Sequence, residues 1–597
     1  MQSAQSRDLT SAVGWLLAAG LLLAVPFAFH RGFAEQFSYI KLVLTEGLVL
    51  LGLTIWALGL IWGKRHWPRR FLLGPPLALL AAAVLLSCWN SPVPGFSLRE
   101  AQYFLCGPLW LLLLISWGGG EARVRLLAVL IVGAGSVVAA IALAQWLGHD
   151  PLLFGDYRIV WGTMVGRMRL YSTFGNPNFV AGYLIGAIFL ALGLAGTAPK
   201  LWRKALWCAS LAAMFAAIIG TRSRGAWAGL AAGLLLARLV WRRGSRQTAL
   251  APAAAASGQR GLSVAVLVPA VAALIASPLT QTVETLAARF EGRVYLWRVS
   301  WPLFAEHPLF GNGWGTFQLR FLELQAQFLA SHPEYVRYWT HTRQLHNDPL
   351  QILLEAGLVG VVALGWLLWN YGREARQALA VAPRSTRLWI GASAGGVTAL
   401  LVNSLFNFQL AIPPTLLLLF TLLAFPHLLR SAENGRQQSG EPQAAEAEGK
   451  PRGFRLLRVI ASFAVVGLTA FGLLQIGRRA VAEHDYMVAM DYERSGDIVR
   501  AEQAFREGLA RAPLHGRLHY GLARALFIQG KLPEALAEVL LAERTFADSH
   551  LEVLKARIQD QMGLATPALE TYRHALALDP TLKSVRADIE RLSGAHL

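Results

Sequence analysis

Four short segments carry side chains suited to handling an anion and a proton. The first is Tyr171-Ser-Thr-Phe-Gly-Asn-Pro-Asn-Phe-Val-Ala181. Asn-Pro-Asn where a loop meets an apolar run is a natural helix start, with asparagine as cap and proline in the first turn. Asn176 and Asn178 are therefore either caps and nothing more or polar groups at the rim of a site. The second is Thr221-Arg-Ser-Arg-Gly-Ala226, a very short link between two apolar runs. It holds Arg222 and Arg224 at a membrane edge beside a helix N-terminus, whose free N–H groups favour anions. The competing reading is snorkelling of both arginines to lipid phosphates. The third runs from Gly292-Arg-Val-Tyr-Leu-Trp-Arg into His307-Pro-Leu-Phe-Gly-Asn-Gly-Trp-Gly-Thr-Phe317. Gly311, Gly313 and Gly315 read as a flexible loop, but no Gly-Lys-Ser/Thr follows, so it is no nucleotide cradle. The fourth, Leu345-His-Asn-Asp-Pro-Leu-Gln-Ile-Leu-Leu-Glu355, puts His346 and Asn347 where a long polar stretch re-enters an apolar run. Histidine is the side chain best suited to move a proton near neutral pH, although a lone histidine is more often structural.

Metal chemistry has no comparable signature. There is no Asp-x-Asp, and Glu284, Glu291, Glu306, Glu323, Glu334 and Asp348 are scattered without metal-ligand spacing. Cys88, Cys106 and Cys208 all lie inside apolar runs without a CxxC pair, which argues against a disulfide framework or a zinc site. The sequence therefore predicts no metal and no cofactor, and any diphosphate must be neutralised by arginine.

The elements that must position these residues are membrane spans. Of the 597 residues 55% are hydrophobic and 15% charged, against roughly 25% charged in soluble domains, and the mean hydropathy is +0.42. Disordered, collagen-like and disulfide-rich secreted classes are excluded. The net charge of +19 belongs to cytoplasmic loops rather than to a nucleic-acid surface. With about 20 apolar residues needed per span, candidate helices fall near 11–29, 39–62, 71–89, 101–118, 126–147, 178–197, 204–220, 224–240, 262–279, 350–370, 388–407, 411–429 and 458–476. Asn403, Asn407, Gln409 and Pro413-Pro414 read as a hairpin tip between two of them.

Lysine and arginine in alternate short loops (Lys64 to Arg70, Arg123 and Arg125, Lys200 to Lys204, Arg242 to Arg246, Arg373 and Arg376) put the N-terminus inside. The loops 148–177 and 280–349 then lie outside. Arg158, Arg167, Arg169, Arg222, Arg224, Arg289, Arg293 and Arg298 run against the positive-inside bias there, which suggests a task for some of them. Residues 431–457 read as a polar cytoplasmic linker and 458–476 as a final span. In 480–597, Gly496, Gly530 and Gly563 recur at spacings of 34 and 33, as do Ala501, Ala535 and Ala568. That period predicts tetratricopeptide-like helical repeats, and an odd number of spans puts them outside, a possible dock for a protein partner.

Taken together, STFGNPNFVAGYL (172–184), TRSRGAWAG (221–229), GRVYLWRVSWPLFAEHPLFGNGWGTF (292–317) and HNDPLQILLEAGLVG (346–360) resemble the O-antigen ligase/polymerase family of bacterial membrane glycosyltransferases. The resemblance covers roughly residues 10–430. It implies an all-α, GT-C-like polytopic fold with about 12–13 spans, a large periplasmic loop (280–349) within a domain spanning 1–430, and residence in the bacterial inner membrane. It implies transfer of a glycan from polyprenyl (usually undecaprenyl) diphosphate without metal or nucleotide. Arg224 and Arg293, with Arg222 less firmly fixed by the family pattern, would hold the diphosphate. His346 would be the base, and Asn347, Asn176 and Asn178 would contact substrate. Lipid A core, a growing glycan and a protein hydroxyl remain competing acceptors. A transporter of lipid-linked sugars would need internal repeats among the spans and mid-membrane charge, for which Lys41 and Glu46 are the evident candidates. A scaffold would need only one span.

Overall fold

The computed structural model describes residues 2–63, 71–152, 170–246, 283–380, 383–438 and 452–594, and every regular element among them is helical. The first part of the bundle comprises α1 (Gln2–Phe27), α2 (Tyr39–Ile61), α3 (Gly74–Ser87), α4 (Pro94–Ser116), α5 (Glu121–Trp146), α6 (Pro177–Thr197), α7 (Leu201–Thr221) and α8 (Arg224–Arg246). The loop helices are α9 (Val283–Ser300), α10 (Pro302–Glu306) and α11 (Phe317–Ser331). The bundle closes with α12 (Asp348–Ala380), α13 (Arg384–Ser404), α14 (Pro413–Gln438) and α15 (Arg452–Arg494). The tail is α16 (Ile498–Arg511), α17 (Gly516–Ile528), α18 (Leu532–Glu543), α19 (Ser549–Gln561), α20 (Ala565–Leu578) and α21 (Lys583–Gly594).

Among the described residues nine helices are long and apolar enough to cross a membrane. Three further expected spans coincide with α3, α8 and α13. Of these, α3 has only 14 residues, about 21 Å at 1.5 Å per residue, and it continues as one turn of 3-10 helix, Cys88–Asn90. The expected span 262–279 lies outside the described residues, as do Arg158, Arg167, Arg169 and the run 64–70.

Hydrogen bonds sort the turns onto two opposite faces. On one face Gly120 N–H donates to Leu428 O, Arg125 to Thr197 O, Ser385 to Glu121 and Asn370 to Leu72 O. On the other, Thr173 donates to Pro26 O, Arg31 to Leu152 O, and Asn90 to Gly311 O. All four chemistry-bearing segments lie on this second face. The long α15, with 43 residues, runs antiparallel to α2, joined through Trp62 to Ser462, Thr54 to Thr469 and Glu46 to Arg479.

The tail follows its 34-residue period for a visible reason. Gly496, Gly530 and Gly563 have φ of 84°, 75° and 78°, the left-handed conformation that glycine adopts without a Cβ penalty, and each ends the first helix of a pair. Ala501, Ala535 and Ala568 are fully buried where paired helices meet. The stack rests on the loop helices: Leu578 packs with Leu322 and Ala326, and His574 bonds Glu323. Repeats and loop therefore share one face of the bundle.

Candidate functional site

Arg224 is placed by a seam of small residues. Gly225, Gly229 and Gly233 recur every four residues along α8 and face α13. A Cβ on Gly229 would stand 2.3 Å from Ala399 O, and one on Gly233 2.3 Å from Gly395 O. Backbone-to-backbone approach of this kind is the usual use of small residues between spans. It fixes the rotation of α8 and lays Gly225 against Asn403, Phe406 and Asn407. Arg222, at φ 54°, ends α7 in the left-handed conformation and is exposed. Arg224 is the first residue of α8.

Arg293 arrives from the loop. Tyr295, Leu296 and Val299 of α9 are buried with Phe317, Phe321, Leu345 and Leu354, which leaves Arg293 on the opposite flank with its guanidinium 5.9 Å from the Phe406 ring centroid. Arg293 thus approaches the 403–409 turn, and Arg224 stands one residue from Gly225, which packs against it.

His346 reaches the same turn. Its ring stands edge-on to Phe408 at 4.8 Å, and Phe408 meets Phe179, directly after Asn-Pro-Asn, at 5.2 Å. Burial, aided by the Arg293 charge, pulls the His346 imidazole down to about 4. It is therefore neutral at physiological pH, with a nitrogen lone pair free to accept a proton. His346 has φ 56°, an unusual conformation for a side chain of this size. The neighbouring caps over-determine it. Asn347 Oδ1 accepts the Leu350 N–H at 3.0 Å, and the buried Asp348 carboxylate accepts the N–H groups of Gln409 and Leu410 at 2.8 and 3.2 Å. Asn176 caps α6 by accepting the Asn178 N–H at 2.8 Å. Capping therefore occupies the side-chain oxygens of Asn176 and Asn347.

The glycine loop, expected to be flexible, is tied to the break in α12 by hydrogen bonds and close approaches. Within α12 the helix breaks at Gly357 (φ 69°, ψ −169°), freeing backbone donors. Leu358 N–H bonds Pro308 O and Val359 N–H bonds Leu309 O, at 2.9 and 3.1 Å. Glu355, buried, accepts the N–H groups of Gly315 and Phe317. A Cβ on Gly311 would sit 2.3 Å from the Glu355 backbone. Glycine is used here for close approach, and the loop packs as a wedge against the break. The break also bends α12 sharply: Ile352 comes within 3.2 Å of where a Cβ on Gly360 would be.

Beneath that turned segment lies a narrow apolar crevice of about 30 Å³. Leucines 80, 364, 367, 400 and 419 line it, and Asp348, Ser404, Gln409 and Thr415 stand at its polar end. Gln409 and Thr415 are buried there with side-chain polar atoms lacking a protein partner. Sequence reasoning missed Phe406, Phe408 and Gln409 as the hub of the site. The signal was the Asn/Gln-rich, uncharged turn itself, which reads equally well as a simple hairpin tip. Among the described residues no group of three or more His, Cys, Asp or Glu gathers at a metal-binding distance.

Fold and site together define an all-α polytopic membrane protein with arginines and a neutral histidine at one membrane face and a helical repeat tail above them. Residues 209–365, which include Arg222, Arg224, Arg293, His346 and Asn347, match the family model described as O-antigen ligase, and residues 486–550 match a tetratricopeptide repeat model. The first match supports a glycosyltransferase of the kind that uses lipid-linked glycans. No curated protein matches the chain.

Proposed function

We propose that the protein moves a glycan from polyprenyl diphosphate, undecaprenyl diphosphate in bacteria, to an acceptor hydroxyl at the outer face of the cytoplasmic membrane. The observation that carries this reading is convergence. Arg293 and His346 come from separate parts of the chain and meet at one turn, and a third part, the start of α8 with Arg224, packs its backbone against the same turn through Gly225. The diphosphate would face the guanidinium groups, which bind phosphate oxygens bidentately as lysine cannot, and the prenyl tail would run among the apolar spans.

In the reaction the acceptor oxygen forms a bond to the anomeric carbon of the donor sugar while that carbon's bond to the diphosphate oxygen breaks. The acceptor proton passes to His346. The electron pair leaves with polyprenyl diphosphate, whose charge Arg224 and Arg293 stabilise, with Arg222 at the exposed rim. Fixed positive groups in a partly dry site act more strongly than in water. Asn176, Asn178 and Asn347 retain amide N–H₂ groups able to donate to substrate. The chemistry as written uses no metal.

An O-antigen ligase-like acceptor, lipid A core, is the leading choice, with chain polymerisation and protein O-glycosylation as alternatives within the same chemistry. Transport fits the residues less well. Lys41 donates to Phe37 O and Thr173 O at 2.8 and 2.7 Å, and Glu46 pairs with Arg479 at 2.8 Å, so both charges have structural work. The test is transfer by purified protein from undecaprenyl diphosphate-linked oligosaccharide, with core glycolipid, free glycan and a serine-rich protein offered separately. Product on none of the three would defeat the reading.

A further inference from the structure

We propose that the repeat domain is a built-in clamp that holds the segment leading into His346, with Arg517 as its positioning residue. The proposal rests on His346 belonging to the transfer site.

Residues 339–347 lie between the short helix Pro333–Tyr338 and α12 and form no helix of their own. Their place is set by outside ties, and three of these come from the repeats or from a residue the repeats hold. The Trp339 indole N–H donates to Leu578 O at 2.8 Å, at the end of α20. His341 Nε2 lies 3.3 Å from Ala547 O, just before α19. Two residues further on, Arg343 bonds Glu35 Oε1 at 2.6 Å, and Arg517 of α17 bonds the same oxygen at 2.9 Å. Glu35 is therefore shared between the catalytic segment and the repeats.

Glu35 is itself fixed to the bundle. It lies in the turn between α1 and α2, where the Lys41 ammonium binds both Phe37 O and Thr173 O. Phe37 packs edge-on to Tyr171 at 5.8 Å. That anchors the turn to the segment that opens into Asn176-Pro-Asn178. Arg517 has only 22% of its side chain exposed and lies 3.9 Å from Glu483, which in turn bonds His515 at 2.7 Å. Burial alone would raise the Glu35 carboxyl, but the charges of Arg517 and Arg343 outweigh it and keep the group below its ordinary value, ionised at neutral pH. Removing Arg517 leaves Glu35 with one partner, and Glu483 without its nearest guanidinium.

The same contacts bear on what the repeats do. The end of the stack that faces the membrane is occupied by the chain's own turn: His484 Nδ1 lies 3.3 Å from Gly32 O, and the Ala34 N–H reaches Glu483. This edge is an internal joint. A displacement of about 1 Å at a catalytic group is enough to cost on the order of 10²-fold in rate, so a joint three residues from His346 acts on turnover without touching substrate.

The test compares full-length wild type with Arg517→Ala, Arg517→Lys and Trp339→Phe in nanodiscs. Amide exchange is read over 339–347 and over α4 and α5 as a fold control, and transfer is read with undecaprenyl diphosphate-linked oligosaccharide. The clamp predicts that Arg517→Ala speeds exchange at 339–347 at least about fivefold while α4 and α5 stay protected. It predicts a kcat lower by about tenfold with KM within about twofold, and substantial recovery in Arg517→Lys. Trp339→Phe, which removes one tie inside the segment, should move the same peptide. Unchanged exchange at 339–347 in both Arg517→Ala and Trp339→Phe overturns the clamp, and so does faster exchange throughout the bundle. A wild-type chain inactive on the probe would count against the transferase reading, while exchange still decides the clamp.

Discussion

His346 is held neutral by two influences that act in the same direction, burial first and the Arg293 charge second. A base of this kind loses function only when it is protonated, so the acid limb of kcat/KM should fall near pH 4 rather than near the ordinary histidine value of 6.5, measured by transfer rate against pH. The linkage sign follows from the same shift. Between about 4 and 6.5 the unfolded chain binds a proton at this residue that the folded chain does not, so acidification through that window destabilises the fold. An acid limb at 6 or above would mean that His346 is solvated or is not the group that titrates. His346→Ala should reduce transfer by at least about 10²-fold with normal membrane insertion. Arg293→Lys should recover little of the activity lost in Arg293→Ala, because an ammonium cannot hold two phosphate oxygens in a fork. Equal activity of Arg293→Lys and wild type would remove the bidentate role.

Helices place these residues through glycine, and here the sequence was only partly legible. The spans were readable because apolar runs of the right length have few alternatives in a chain with 15% charged residues. The repeats were readable from their glycine and alanine period. The four site segments were readable because external arginines run against the positive-inside bias and Asn-Pro-Asn marks a helix start. The break at Gly357 was not readable, since a glycine within an apolar run looks the same whether the helix continues or turns. Nor was the tying-down of residues 311–315, because their partners, the Leu354 and Glu355 carbonyls and the Glu355 carboxyl, lie in α12 where no local pattern announces them. Both hidden features converge on one position. Gly357→Ala combines a φ of 69° with a Cβ placed 2.2 Å from Leu309 O. The strain alone is worth about 1–3 kcal/mol. Thermal unfolding in detergent should show a clear drop in midpoint, with transfer lost because both the loop wedge and the His346 helix shift. Gly365→Ala, where nothing lies within 4 Å of the added atom, should be close to neutral. Similar behaviour of the two variants would mean that the break is not a fixed feature.

At the scale of the whole chain the open matter is which compartment holds the site and the repeats. Loop and repeats occupy one face, since Leu578 packs on Leu322 and Ala326 and His574 bonds Glu323, so one accessibility measurement locates both. The positive-inside rule would put the opposite face, with Arg123, Arg125, Lys200 and Arg203, in the cytoplasm. That face also receives the beginning of α15, with Arg455 and Arg458 against Arg478 and Arg479 further along the helix. The repeats should then lie outside the cytoplasm. Val499, 71% exposed on α16, is a suitable position. Cys88 and Cys106 are buried and Cys208 is partly exposed, so Val499→Cys in a Cys208→Ser background isolates the signal. A membrane-impermeant maleimide should label it when the outer membrane is permeabilised and the inner one intact. A second cysteine at Glu334, on the loop, should label under the same conditions. If both label only after the inner membrane is broken, the site faces the cytoplasm and the external transferase reading fails. If Glu334→Cys labels from outside and Val499→Cys does not, the repeats and loop are on opposite sides, and the clamp around Glu35 falls with that result.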